Sequence, residues 1–505
     1  MLIKQVNIYD PLEESFKRCD LRIEQSMIKA IDSHLNEQEA EPWIDLSAYF
    51  AYPSFIESHC HLIGTGRKLI EPSLELVSSM EELKEIFKKL DEETLCLRGW
   101  IPDSLPYTMN RLCLDKLEAQ RPVLLIGKCG HIGYVNTKAI ELFKLEKFHQ
   151  VDESNLEEGV IKERVLDFAR ACIKYSKKHL QDCLEQATNL CKSYGISSVH
   201  TDDWNTSSAQ HLLSLLDAQT DLRIYEHLNL SPPFSYQEIM NPDTLSFYYR
   251  STPFLSLSSF KFILDGSLGG RSAYLSSPYA DEPKTKGVLY YSSNELQDIL
   301  HRSERCGWST AFHVIGDEAL EVYLESFKNS KINNLNLKHR LIHVQMASSQ
   351  QLDLINKLSL YLSIQSIFYH ADKEMAIKRL SEQRFHKLAY PFKAMIDQNL
   401  KVSLSTDSPI EDINPFKNIQ ASETFMSRKK AFYCYTHAGA ECISAQMFQG
   451  AIKLGNYADM FFLKEDLFSI PSSRLPALVP ELIMFNGKWI KDINHLTTES
   501  EDTFQ

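Results

Sequence analysis

The sequence contains no run of about 20 consecutive apolar residues, the length a membrane helix requires, because charges break every hydrophobic segment sooner. A transmembrane architecture is therefore excluded as an expectation. Its 11 cysteines form an odd count and include no CxxC pair. That pattern argues for free thiols in a reducing cytoplasm rather than a disulfide framework. Met1–Ile8 is a short strand-like run followed by polar residues, which does not resemble a secretory leader. Basic excess is also absent. Lys and Arg number 54 against 67 Asp and Glu, a formal net charge of -13, so the chain lacks the gathered cations that neutralise nucleic-acid phosphates. The glycine-rich stretch Gly266–Gly270 lacks the GxGxxG order of a dinucleotide fingerprint. No internal repeat is present.

What remains is a 505-residue chain with 43% hydrophobic residues, enough for one large catalytic domain and a smaller companion. The first fifty residues read as short strands, Leu2–Ile8, Asp20–Glu24, Met27–Ile31 and Trp43–Leu46. The last sixty have the same texture, with Ala458–Leu463, Leu482–Phe485 and Lys488–Ile490, the last two joined by Asn486-Gly487. Both ends are expected to build one β-sandwich, from residues 1–52 and 446–495. Between them, at 53–445, apolar strands alternate with charged helices such as Ser79–Leu90, Leu180–Tyr194, Ser293–Cys306 and Ala319–Lys328. This is the rhythm of a (β/α)8 TIM-like barrel in the α/β class. Seven strands are legible: Ser54–Glu57, Ser197–Thr201, Ser259–Leu264, Ser309–Val314, Arg340–Val344, Leu360–Gln365 and Lys401–Ser405. An eighth is not. Residues from about 73 to 163 are too many for one crossover and include the strand-like Arg121–Gly127, so they are expected to form an insertion over the barrel mouth. The acidic end, 496–505, carries no apolar pattern and is expected to be disordered.

Chemistry concentrates at strand ends. Ser54–His61 runs from an apolar strand into His59 and His61, whose spacing projects both imidazoles to one side, with Cys60 turned to the core. His313 and His343 end two further strands, and Asp407 follows a third within Ser405–Pro409. A barrel places its active site at the carboxyl ends of its strands, so five ligand-type residues in that context point to a divalent metal. A His-rich set favours zinc, as one or two ions.

The chain resembles the amidohydrolase-3 branch of the amidohydrolase superfamily, which includes N-substituted formamide deformylase. Carrying the resemblance are Pro53–His61, Gly130-His131 through Val135–Ala139, Lys261–Gly269 and Arg271-Ser272-Ala273. His313–Asp317, Arg340–Gln345, Ser405–Pro409 and Gly455–Asp459 complete it. The resemblance implies a barrel with His59 and His61 on strand one, His313 and His343 on strands five and six, and Asp407 on strand eight. It also makes Lys261 a candidate ligand, either carboxylated and bridging two ions or an ordinary salt-bridged lysine, since an ammonium cannot coordinate. Glu163 is the alternative carboxylate. The sequence departs from the family at Ser54, Glu57, Ile342 and Ser405-Thr406, none of which removes a ligand.

The implied reaction is hydrolysis of a non-peptide C–N bond in an amide, formamide or N-acyl amine by a metal-activated water, with Asp407 moving the proton. His131 would stabilise the oxyanion or be a loop histidine. Asp265 and Arg271 either orient substrate or form a structural ion pair. Two rival readings keep the fold: a mononuclear deaminase of a nitrogen heterocycle, and a metal-binding protein without turnover. The expected partner is a small-molecule substrate, with no nucleic acid and no membrane, and the sequence leaves room for a homo-oligomer.

Overall fold

The computed structural model describes residues 1–101, 109–127, 130, 132–148, 154–203, 209–230, 235–332, 334 and 336–490. Eight parallel strands form its centre: β1 Phe55–Cys60, β2 Ile196–Thr201, β3 Arg223–Asn229, β4 Leu255–Ile263, β5 Ser309–Val314, β6 Arg340–His343, β7 Tyr361–Ile364 and β8 Lys401–Leu404. They pair in chain order from β1 to β8. Single contacts bring β8 back to β1 and nearly close the barrel. The Ser58 hydroxyl donates to Leu404 O at 2.8 Å, and the amides of Asp407 and His61 donate to His59 O and Ser408 O at 3.0 and 2.7 Å. Glu57 completes the seam, its fully buried carboxyl taking Thr406 N at 2.9 Å and His59 N at 3.3 Å.

The strand that patterning misses is β3. Its sequence, RIYEHLN, is mostly polar: Ile224 and Leu228 join the main hydrophobic core, while Arg223 is committed to an ion pair. β4 begins at Leu255, four residues before the expected start, since Ser256 and Ser258 dilute its apolar signal. The helix Ser293–Cys306 falls where its pattern predicts, opened by a Ser292/Glu295 capping box and ended by left-handed Gly307.

Both chain ends enter one eight-stranded sheet. Phe50–Pro53 pairs antiparallel with Met460–Leu463, joining the two halves directly. The stretch after the helix Leu62–Ile70 carries its own four-stranded sheet, ordered Val160–Lys162, Ile132–Val135, Val123–Gly127, Leu95–Trp100. Leu62–Ile70 then packs on Lys177–Ser193 so closely that a Cβ on Gly66 would stand 2.0 Å from Cys183 O. Among the described residues, no helix is long and apolar enough to cross a membrane. Residues 491–505, including the expected disordered tail, lie outside the described residues.

Candidate metal centre

The carboxyl ends of β1, β2, β5, β6 and β8 converge. Asp407 Oδ1 lies 3.2 Å from His59 Nε2 and 3.3 Å from His61 Nε2. The His59 ring centroid is 5.4 Å from those of His61 and His343, and His313 is 4.6 Å from His343. Two overlapping groups have ligand atoms within 4.8 Å of one another, His59/His343/Asp407 and His59/His61/Asp202. The structure thus brings His59, His61, His313, His343 and Asp407 together and adds Asp202.

The donor set fits a cation. Asp407 Oδ1 and Asp202 Oδ1 are buried oxygens that form no hydrogen bond, although each has an imidazole nitrogen within 3.3 Å. Lone pairs facing one another with no aligned proton between them are what a shared metal ion satisfies. Burial acts to raise both carboxyls. His61 and Lys261 nevertheless hold Asp202, and His59 and His61 hold Asp407, well below the usual range. Burial pulls His61 down, but Asp202 and Asp407 outweigh it and bring it to about 10. His59 and His313 are lowered to about 4, chiefly by burial and then by Lys261, so both present neutral imidazoles.

The supporting contacts orient these rings. His343 Nδ1 lies 2.8 Å from Gln365 Oε1, which fixes the proton on Nδ1 and leaves Nε2 for the site. Gln365 Nε2 in turn donates to Ser405 Oγ at 2.8 Å. The Phe368 ring stacks with that of His343, 6.2 Å away and 12° from parallel. His313 Nε2 lies 3.1 Å from Gly266 O, an assignment that frees Nδ1. A side chain at 266 is impossible without rearrangement, because a Cβ there would meet Ser272 Oγ at 2.1 Å. His343, Val344 and Asp407 have φ of 77°, 45° and 58°, so left-handed backbone recurs at two of the ligand-bearing strand ends. Replacing Gln365 with alanine removes the orienting partner of His343, and metal affinity or turnover is expected to fall about 10–100-fold. Metal titration and steady-state kinetics on Gln365→Ala check this, and wild-type values in both would show that His343 needs no such partner.

Other sequence-predicted residues occupy different places. Lys261 is buried on β4 and its Nζ donates to Asp202 Oδ2 at 2.7 Å. Asp265 turns away from solvent, its two oxygens accepting the amides of Ile315, Gly316 and Tyr274 at 2.8–3.0 Å. Burial pushes it up to about 7 against those hydrogen bonds. Arg271 pairs with Asp281 at 3.0 Å, and Arg379 shares the same carboxylate. His131 lies outside the described residues, as does the side chain of Glu163.

Pattern reading missed Asp202, Gln365 and the closing role of Glu57. Asp202 follows the legible strand at Ser197–Thr201 by one residue, so the strand-end rule that selects Asp407 would also have selected it.

A parallel barrel with imidazoles and carboxylates gathered at its strand ends defines a metal-centre barrel of the hydrolase type. The chain belongs to the amidohydrolase family, whose sequence profile matches residues 43–490. It is 26% identical to the amidohydrolase-like YtcJ of Bacillus subtilis, over 95% of this chain and 97% of that protein. It is 21% identical to N-substituted formamide deformylase of Arthrobacter pascens, over 84% of this chain and 85% of that protein. Among solved structures, a metal-dependent hydrolase of uncharacterised function from Pyrococcus furiosus superposes with a TM-score of 0.78. It is 28% identical, covering 93% of this chain and 99% of its own.

Proposed function

We propose that this hydrolase cleaves a non-peptide C–N bond, in an amide, formamide or N-acyl amine, at the centre formed by His59, His61, His313, His343 and Asp407. The observation that carries the reading is the buried, unbonded Asp407 Oδ1 between the Nε2 atoms of His59 and His61. The choice of bond draws support from the formamide deformylase relative. A divalent ion held by these imidazoles and carboxylates, zinc being one that imidazole-rich sets suit, would lower the pKa of water at the site towards about 7.

The chain's own residues do the rest. Asp407, held ionised, accepts the proton of the attacking water and returns it to the departing nitrogen, because an amide nitrogen leaves poorly until protonated. Gln365 and Gly266 O keep the two facing imidazoles in one tautomer each. Phe368 supplies an apolar wall that limits water beside His343. Lys261 serves as the ammonium partner of Asp202 in a one-ion centre, the arrangement their 2.7 Å contact favours.

Elemental analysis of purified protein, intact-mass measurement and a screen of N-formyl and N-acyl amines test the proposal together. About one ion per chain, lost in His59→Ala, with turnover of at least one N-acyl class, is the expected result. Two ions with a mass gain of one CO2 would instead make Lys261 a carbamate bridge. No ion after reconstitution with zinc, manganese or iron would sink the metal reading, and turnover confined to amino-heterocycles would replace amide cleavage with deamination.

A further inference from the structure

Arg340 lies where a barrel interior is usually filled by Val, Ile or Leu. It is buried and opens β6, three residues before His343. β6 pairs only with β5 and β7, yet the guanidinium meets strands on the far side of the barrel, so it spans the interior. Nη1 donates to Ser58 O of β1 at 2.9 Å, faces His200 Nδ1 of β2 at 2.8 Å and donates to Ser363 Oγ of β7 at 3.3 Å. Nη2 faces His227 Nε2 of β3 at 2.5 Å. Cys442 Sγ, at the carboxyl end of the helix His437–Glu441, stands 3.4 Å from Nη1.

A guanidinium only donates, so both imidazoles accept and stay neutral, with their protons on His200 Nε2 and His227 Nδ1. Burial, then the Arg340 charge, holds both well below the usual imidazole range. The strands joined in this way lead into the metal centre. Ser58 precedes His59, His200 stands two residues before Asp202, and Ser363 stands two before Gln365, the partner of His343. One rigid plane of donors thus fixes the level beneath the ligands. A buried guanidinium among neutral acceptors forgoes hydration that an apolar side chain would not, so filling space is a poor reason for it.

We propose, resting on the metal reading above, that Arg340 is a positioning residue: from one level below, it sets the placement of His59, Asp202 and His343 relative to one another. A cavity of about 190 Å3 makes its position reachable from outside. The cavity lies at the amino ends of β4, β5 and β6, bordered by Ser256, Ser309 and the exposed Asn336, and it extends to His227, Arg340 and Cys442. A small planar cation can therefore stand in for a truncated Arg340.

Zinc affinity, the visible spectrum of the cobalt-loaded protein and the Tm of the metal-free protein are compared in wild type, Arg340→Lys and Arg340→Ala. The alanine variant is measured with and without millimolar guanidinium chloride, against sodium chloride of equal ionic strength. Lysine keeps the charge but has one nitrogen in place of the fork, so Arg340→Lys is expected to bind zinc about 10–100-fold more weakly, with an altered cobalt spectrum. Arg340→Ala should lose at least as much and regain zinc affinity saturably with guanidinium. Wild type should not respond, because millimolar guanidinium is far below the concentrations that unfold proteins. Arg340→Lys carries the test should Arg340→Ala fail to fold. A lowered Tm in Arg340→Lys with wild-type zinc affinity and cobalt spectrum would show an arginine that only stabilises the barrel, and overturns the proposal. So would a folded Arg340→Ala whose zinc affinity ignores guanidinium. A wild-type protein that takes up no zinc, manganese or iron would instead reject the metal reading, and with it any centre for Arg340 to position.

Discussion

Asp407→Asn is expected to lower kcat by about 10²–10⁴-fold, the range associated with losing a positioned proton carrier, while the protein stays folded. The substitution is nearly isosteric and leaves the backbone contacts of residue 407 in place: its amide donates to His59 O at 3.0 Å and its carbonyl accepts Ile410 N at 2.9 Å. What changes is the oxygen between His59 and His61. An amide in that position neither accepts a proton near neutrality nor brings a negative charge to a cation, so proton transfer and ion retention weaken together. Two measurements separate these losses. Metal content of Asp407→Asn after saturation with zinc reports the ligand role, and kcat of the fully loaded variant reports the proton carrier. A loaded variant that turns over within a few-fold of wild type would remove Asp407 from the proton path and require another base. Asp202, whose Oδ1 lies 2.8 Å from His61 Nδ1, is the carboxylate in place to take that role.

The legible parts of this molecule share a physical origin. β1, β5, β6 and β8 are short apolar runs because both faces of a parallel barrel strand are buried, and each places its ligand residue where the run stops. β3 escaped the same reading because Arg223, Glu226, His227 and Asn229, most of its length, are buried without being apolar, so burial and hydrophobicity part company there. Gln365 was within reach as the last residue of a predicted strand, yet glutamine is not a ligand type, and its function depends on His343, 22 positions away. Asp265 shows the limit most clearly. Its position beside a glycine-rich loop is equally compatible with binding substrate, and only the amides of Ile315 and Gly316, 50 and 51 residues later, show that its carboxylate faces inward.

Asp459→Ala is expected to destabilise the whole chain by about 3–5 kcal/mol, the range for breaking a buried ion pair from one side. Asp459, just before Met460–Leu463 of the terminal sheet, takes Arg223 of β3 with both carboxylate oxygens, at 2.7 and 3.2 Å, and both residues are buried. Arg223 also donates to Pro253 O at 2.8 Å and Asn486 Oδ1 at 3.1 Å, and stacks over Tyr457 at 3.6 Å. Asp459 accepts Asn486 N at 2.7 Å, so one carboxylate ties β3 to the hairpin at the far end of the chain. Alanine would leave the guanidinium buried with only carbonyl and amide oxygens to satisfy it. Removing both charges should cost less than removing one, because the large penalty belongs to the abandoned charge and not to the lost attraction. Urea unfolding of Asp459→Ala, Arg223→Met and the double variant measures this as a coupling of about 0.5–3 kcal/mol, the usual span for residues in contact. Strictly additive losses would show that Arg223 and Asp459 act through packing alone. A loss confined to the terminal sheet, with barrel unfolding unchanged, would show that this pair joins two independently stable parts and leaves the metal centre untouched by the chain ends.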